Sequence, residues 1–321
     1  MKKGLLQVLL FFSVVQINIF ALENFDISVH LDSGILNGQV KEYVFSPACK
    51  NTDNMESKLT WDLDNIPYNE ITIDLDLFKN FNISFTTKFA TSQRSGVMQD
   101  YDWLNSVTTE WKNDDPTELT NYSIHKNVLN DFYSFRISAG YNFRINPIFT
   151  VTPFASWDYD YIHFSAYDGY GIYKVNNFEQ INFNGRVICY KNEFNSFMPG
   201  ITISINPFEK LNITVTGMYN FALGFNNALD YHYTRLTLFN DEINFTQVLK
   251  GKLSINFCIT KNIVIGASIN GQFTPIAKGR DYIILIDGDG EILNPSKKPV
   301  AALGGNSNNI WCGGISCSIK F

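Results

Sequence analysis

From residue 211 onward, apolar and polar side chains alternate with period two. The odd positions are Leu211, Ile213, Val215, Gly217, Tyr219, Phe221, Leu223 and Phe225; the even ones are Asn212, Thr214, Thr216, Met218, Asn220, Ala222, Gly224 and Asn226. Successive side chains of a strand point to opposite faces, so this stretch predicts a strand with one oily and one small, polar side. The pattern returns at Leu253, Ile255, Phe257 and Ile259, and again at Ile315, Cys317, Ile319 and Phe321. These runs outlast the five or six residues usual for strands in water-soluble domains. A large β-sandwich accounts for the alternation, but a transmembrane barrel also accounts for the strand length, with lipid outside and a polar lumen inside.

Ten strands are predicted, at 27–45, 57–78, 82–95, 118–143, 148–167, 185–206, 211–226, 246–260, 263–277 and 309–321. Their connections alternate in length. Four are tight, at 79–80, 144–147, 207–210 and 261–262. Five are long, at 46–56, 96–117, 168–184, 227–245 and 278–308. Outer-membrane barrels have short periplasmic turns and long external loops, and an even strand number closes the sheet without exposed edges. The fold class expected is therefore all-β: a ten-stranded antiparallel transmembrane β-barrel with long extracellular loops. Residues 1–21 begin with Lys2 and Lys3, continue through an apolar run and end at Ala21, the order of a secretory signal peptide. Residues 22–321 are expected to form the barrel in the outer membrane.

Composition narrows the function. Lys and Arg number 25 against 31 Asp and Glu, a net charge of −6, so nucleic acid is not an expected partner. Hydrophobic residues make up 45% of the chain and aromatic ones 15%, too many for a disordered protein. Five cysteines are an odd number, so the chain cannot pair all of them internally.

Two acidic clusters fall in expected external segments: Gln99-Asp100-Tyr101-Asp102-Trp103 and Asp230-Tyr231-His232. In extended backbone, residues i and i+2 share a face, so Asp100 and Asp102 can face one cleft, as can Asp230 and His232. A carboxylate beside imidazole fixes its tautomer and raises its basicity. Two facing carboxylates could hold and polarise a water, and like charges close together should push at least one pKa upwards. The set could activate water for attack on a carbonyl without a serine or cysteine nucleophile.

These residues resemble the omptin family of outer-membrane endopeptidases. The likeness is carried by Gly38 to Glu42 with Val44, by Trp61, by the Met-x-Asp-x-Asp-Trp run Met98 to Trp103, by Trp111, Leu119, Asn121 and Tyr122, by Met198-Pro199, by Asp230 to Tyr233, and by the terminal Phe321. The resemblance implies an aspartyl/histidine-type hydrolase cleaving peptide bonds of proteins or peptides near basic residues, with its active site facing the cell exterior. Asp230 and His232 would be the dyad that activates water. Asp100 and Asp102 would orient this water and stabilise the oxyanion stage. Glu42 would sit at the base of the pocket for a basic side chain, and Met98 would line it. No metal is implied. Peptide or protein substrates and outer-membrane lipid are the partners.

The chain departs from the family pattern at two acidic positions, Ala228 and Asn113, which predicts weaker or altered preference for Arg and Lys. The family also depends on lipopolysaccharide bound to basic barrel residues, whereas Trp157-Asp-Tyr-Asp-Tyr161 is aromatic and acidic where such a contact would fall; this departs from the requirement. The alternative function is a surface adhesin or binding barrel with weak or no proteolysis. A passive porin is the third reading, opposed by the small strand number. Asp287 to Glu291 resembles part of a calcium loop, but Asp-Gly pairs also signal hairpins, here between 282–286 and 291–293.

Overall fold

The computed structural model describes residues 25–47, 49, 54–78, 80–104, 118–221 and 223–321. The signal-peptide expectation, Trp111 and Asn113 lie outside them. Fourteen strand segments build ten antiparallel walls. The first two walls are β1 (Phe25–Phe45) and β2 (Met55–Leu77). The third is β3 (Phe81–Ala90) continued upward by β4 (Gln93–Asp102). The fourth is β5 (Asn121–Tyr141). A two-residue spur, β6 (Phe143–Arg144), leads into the fifth, β7 (Phe149–Tyr173). The sixth is β8 (Gln180–Phe208). The seventh joins β9 (Leu211–Asn220) to β10 (Leu223–His232), and the eighth joins β11 (Thr237–Ile243) to β12 (Val248–Cys258). The ninth and tenth are β13 (Ile263–Leu285) and β14 (Lys298–Lys320). The ring closes between β1 and β14, from Ser28↔Lys320 up to Phe45↔Leu303. Closure leaves no unpaired edge to be satisfied in lipid.

The two faces divide as the alternation requires. Val215, Tyr219, Leu253, Ile255, Phe257, Ile315 and Ile319 are exposed on the outside. Their neighbours Met218, Asn220 and Ser254 are buried inside. Ion pairs cross the lumen. Lys250 of β12 reaches Asp158 and Asp160 of β7 at 2.9 and 2.8 Å, and Arg136 of β5 reaches Asp158 at 2.6 Å. Lys88 and Lys252 meet Glu70 at 3.0 and 2.7 Å. Asp158 and Asp160 thus belong to the lumen, while Trp157, Tyr159 and Tyr161 form an outward aromatic row in which Tyr133 and Tyr161 stack. Above the ion pairs lies an apolar plug: Trp61 stacks between Phe164 and Tyr190, with ring centroids 5.5 and 5.9 Å away. A lumen crossed by ion pairs and plugged by three aromatic rings is not an open pore.

The walls rise further than the sequence pattern indicates. The expected external loop at 96–117 is strand β4 through Asp102, and the expected loop at 227–245 consists largely of β10 and β11 joined by a short turn. The cause is local. A bulge between Arg94 and Val97, with Gly96 at φ +57°, breaks the strict alternation while pairing resumes above it. Between 282 and 293 a hairpin forms as expected: Ile286 bridges Ile292, and the Asp287 carboxylate accepts hydrogen bonds from the backbone N–H groups of Asp289 and Glu291. No disulfide forms among the described residues; all five cysteines are free, and Cys317 lies on the outer face.

Candidate active site

A transmembrane β-strand needs about 9–11 residues to cross the bilayer, so the upper ends of these walls, the longest of them the 29 residues of β8, stand above it, and the acidic motifs sit there. Asp100 and Asp102 are successive inward positions of β4, both buried. Asp100 pairs in register with Leu59 of β2 and Ser123 of β5, and Leu59 pairs with Glu42 of β1. Glu42 and Asp100 therefore share one row of the sheet, two strands apart. Asp230 and His232 are successive inward positions of β10, on the opposite arc of the ring.

The two arcs meet over one cleft. A cavity of about 280 Å³ is lined by Asp100 from one side and His232 from the other, together with Ser123, His125, Arg235 and an apolar wall that includes Phe183 and Ile188. His232 Nε2 lies 2.5 Å from Asp230 Oδ2, and its ring stands edge-on to Phe239 at 5.3 Å. With the Nε2 proton donated to the carboxylate, Nδ1 is the basic atom of the ring. Asp102 accepts from the Asn121 amide at 3.2 Å, and Asp100 accepts from the Ser57 hydroxyl at 3.3 Å.

Charge is concentrated unevenly. Burial first, then the neighbouring Asp102 and Asp230, hold the Asp100 carboxyl well above the usual range, against an opposing pull from Arg235. Asp100 is thus suited to carry a proton between the dyad and Asp102. Glu42 is also raised, by burial and then by Asp230, Asp241 and Asp100. The expected pocket base therefore lies within electrostatic reach of Asp230. Met98 is fully enclosed in the apolar plug with Trp61, Tyr190 and Ala228, as part of the floor below.

Several residues at this level escape a reading by motif. His125 faces the same cavity and is kept neutral by burial, with Nε2 2.9 Å from Ser123 Oγ. Arg235, in the turn just after β10, lines the cavity beside Asp100. Asp241 of β11 pairs in register with Asp281 of β13, and both carboxyls are buried. His125 had a legible signal, since Asn121, Ser123, His125 and Asn127 alternate as one polar face; the others had none.

The ten-walled barrel, raised above the bilayer and carrying its acidic and histidine groups in an upper cleft, is the architecture of an outer-membrane protease. The model of the Omptin family matches residues 23–304, and the chain belongs to that family. Among solved structures, the outer-membrane protease OmpT of Escherichia coli superimposes with a TM-score of 0.78 at 19% identity, over 94% of this chain and 99% of that one. The translocator domain of the autotransporter NalP from Neisseria meningitidis gives only 0.36 at 8% identity, over 99% and 96% of the two chains. No curated protein matches the chain significantly.

Proposed function

We propose that the protein is a surface endopeptidase that hydrolyses peptide bonds with water activated between Asp100 and His232. The observation that carries this reading is the shared cavity: Asp100 and His232, on opposite arcs of the ring, line one cleft. Asp230 orients the His232 imidazole, whose Nδ1 takes a proton from the water as it attacks the scissile carbonyl. Asp100, held protonated, donates a hydrogen bond to the developing oxyanion, and Asp102 fixes the position of that donor. The leaving amine recovers the proton from His232. Omptin membership supports protein or peptide substrates. The acidic surroundings of the dyad favour chains with basic residues near the cut.

The test is cleavage of basic peptides by the refolded protein, with Asp230→Ala and His232→Ala beside it. Loss of a positioned general base should lower kcat/KM by about 10²–10⁴-fold in each variant. Undiminished cleavage in both rejects the dyad.

A further inference from the structure

Ala228 occupies the place where the family pattern has an acidic residue, yet its surroundings are not neutral. Its partner across the sheet is Asp241, and the next partner in the same row is Asp281. The row thus reads alanine, aspartate, aspartate over three walls. Asp241 lies against Gly304 of β14, where a side-chain carbon would overlap its carboxylate. A larger residue at 304 would displace the Asp241 carboxylate from this position.

We propose that Asp241, with Asp281 and Glu42, forms the pocket for a cationic substrate side chain, the carboxylate absent at Ala228 having been transposed to the facing strand. This rests on the endopeptidase reading above and names the residues that would select its substrate.

Three observations support it. The carboxyl groups are buried: Glu42 is 3% exposed, Asp241 5% and Asp281 3%. Among the described residues, Glu42 Oε2, Asp281 Oδ1 and Asp230 Oδ1 find no hydrogen-bond donor. Their near neighbours are other carboxyls. Burial and then Asp281 and Asp230 raise Asp241, and the influences that raise Glu42 come from burial and from Asp230, Asp241 and Asp100. Arg235 offsets charge at Asp100 and Glu56. Buried carboxyls without a cation stay together only by holding protons. A guanidinium or ammonium entering the cluster would take the place of those protons and supply the missing donors, in charge-assisted hydrogen bonds that a neutral side chain cannot make. The influence of Asp230 on Glu42 shows that such a cation would sit close to the dyad.

The experiment compares two peptides differing only in arginine or its uncharged isostere citrulline before the cut. It uses the refolded full chain, Asp241→Asn, Asp281→Asn, and Asp241→Asn combined with Ala228→Asp. Wild type should favour arginine at least about tenfold in kcat/KM, and Asp241→Asn should remove about tenfold of that preference. Returning a carboxylate at 228 should restore it. An arginine-to-citrulline ratio unchanged in both single variants overturns the pocket, as does a double variant no more selective than Asp241→Asn. Equilibrium binding of acetyl-arginine amide against acetyl-citrulline amide separates this proposal from the catalytic one. If neither peptide is cut but the arginine amide binds preferentially, and Asp241→Asn abolishes that preference, the endopeptidase reading fails and the pocket stands. Equal binding of both amides overturns the pocket, whatever the rate of cleavage.

Discussion

Asp281 shows what an acidic cluster costs the residue that carries it. Burial, and then the nearby charges of Asp230 and Glu56, outweigh the hydrogen bonds to Asp241 and to the Tyr282 backbone and bring its carboxyl to about 6. A carboxyl whose folded pKa is raised contributes stability that is fully present below its unfolded value, about 4. That contribution is lost as pH rises through the folded value. Glu42, Asp241 and Asp100 are shifted in the same direction. Thermal unfolding in detergent should therefore show a midpoint that falls as pH rises from about 4 to beyond 6. Asp281→Asn should flatten that fall, with higher stability than wild type at pH 7 and no gain at pH 4. A variant curve parallel to wild type would mean that Asp281 is not held protonated. Asp100, Asp102, Asp230 and His232 were legible as residues because each pair sits two apart in one motif. Asp241 and Asp281 were not, because their kinship lies in register between walls, and spacing along one chain does not encode register.

Single strands were legible wherever one face meets lipid. The alternation from Leu211 to Phe225, and those around Leu253 and Ile315, appear in the structure as outward apolar and inward polar positions. The signal fades where the walls leave the bilayer. There both faces meet water or protein, so β4, β10 and β11 carry mixed sequences although their backbones stay paired. The loops assigned at 96–117 and 227–245 are misplaced for that reason. Inside the membrane, ion pairs clamp β12 to β7 across the lumen. Lys250 joins two aspartates there, and Asp158 is completely enclosed. Lys250→Met keeps the bulk and removes the charge, leaving Asp158 to Arg136 and the Ser156 hydroxyl and Asp160 without its lysine. Breaking a buried pair from one side costs about 3–5 kcal/mol. The unfolding midpoint in denaturant should fall accordingly, while a variant as stable as wild type would show that the clamp contributes nothing.

At the scale of the molecule, the barrel is a device for bringing distant chain segments to one rim. About 130 positions separate Asp100 from His232 along the chain, and a closed ring with every wall antiparallel to its neighbours sets them facing each other across the upper lumen. The ion pairs and the Trp61 plug beneath make that rim a rigid floor. Omptin membership and the fold shared with the Escherichia coli protease OmpT agree with this design. The fold was readable before coordinates because lipid enforces a strict alternation. The shared cavity was not, because ring closure determines it. A double-mutant cycle on peptide cleavage tests the cooperation of the two arcs most directly, with kcat/KM measured for wild type, Asp100→Asn, His232→Ala and the double variant. Groups that act on one water are not additive, so the double variant should lose no more than about the worse single variant. Losses that simply multiply would mean that Asp100 and His232 act independently, and would contradict a common water in the cleft.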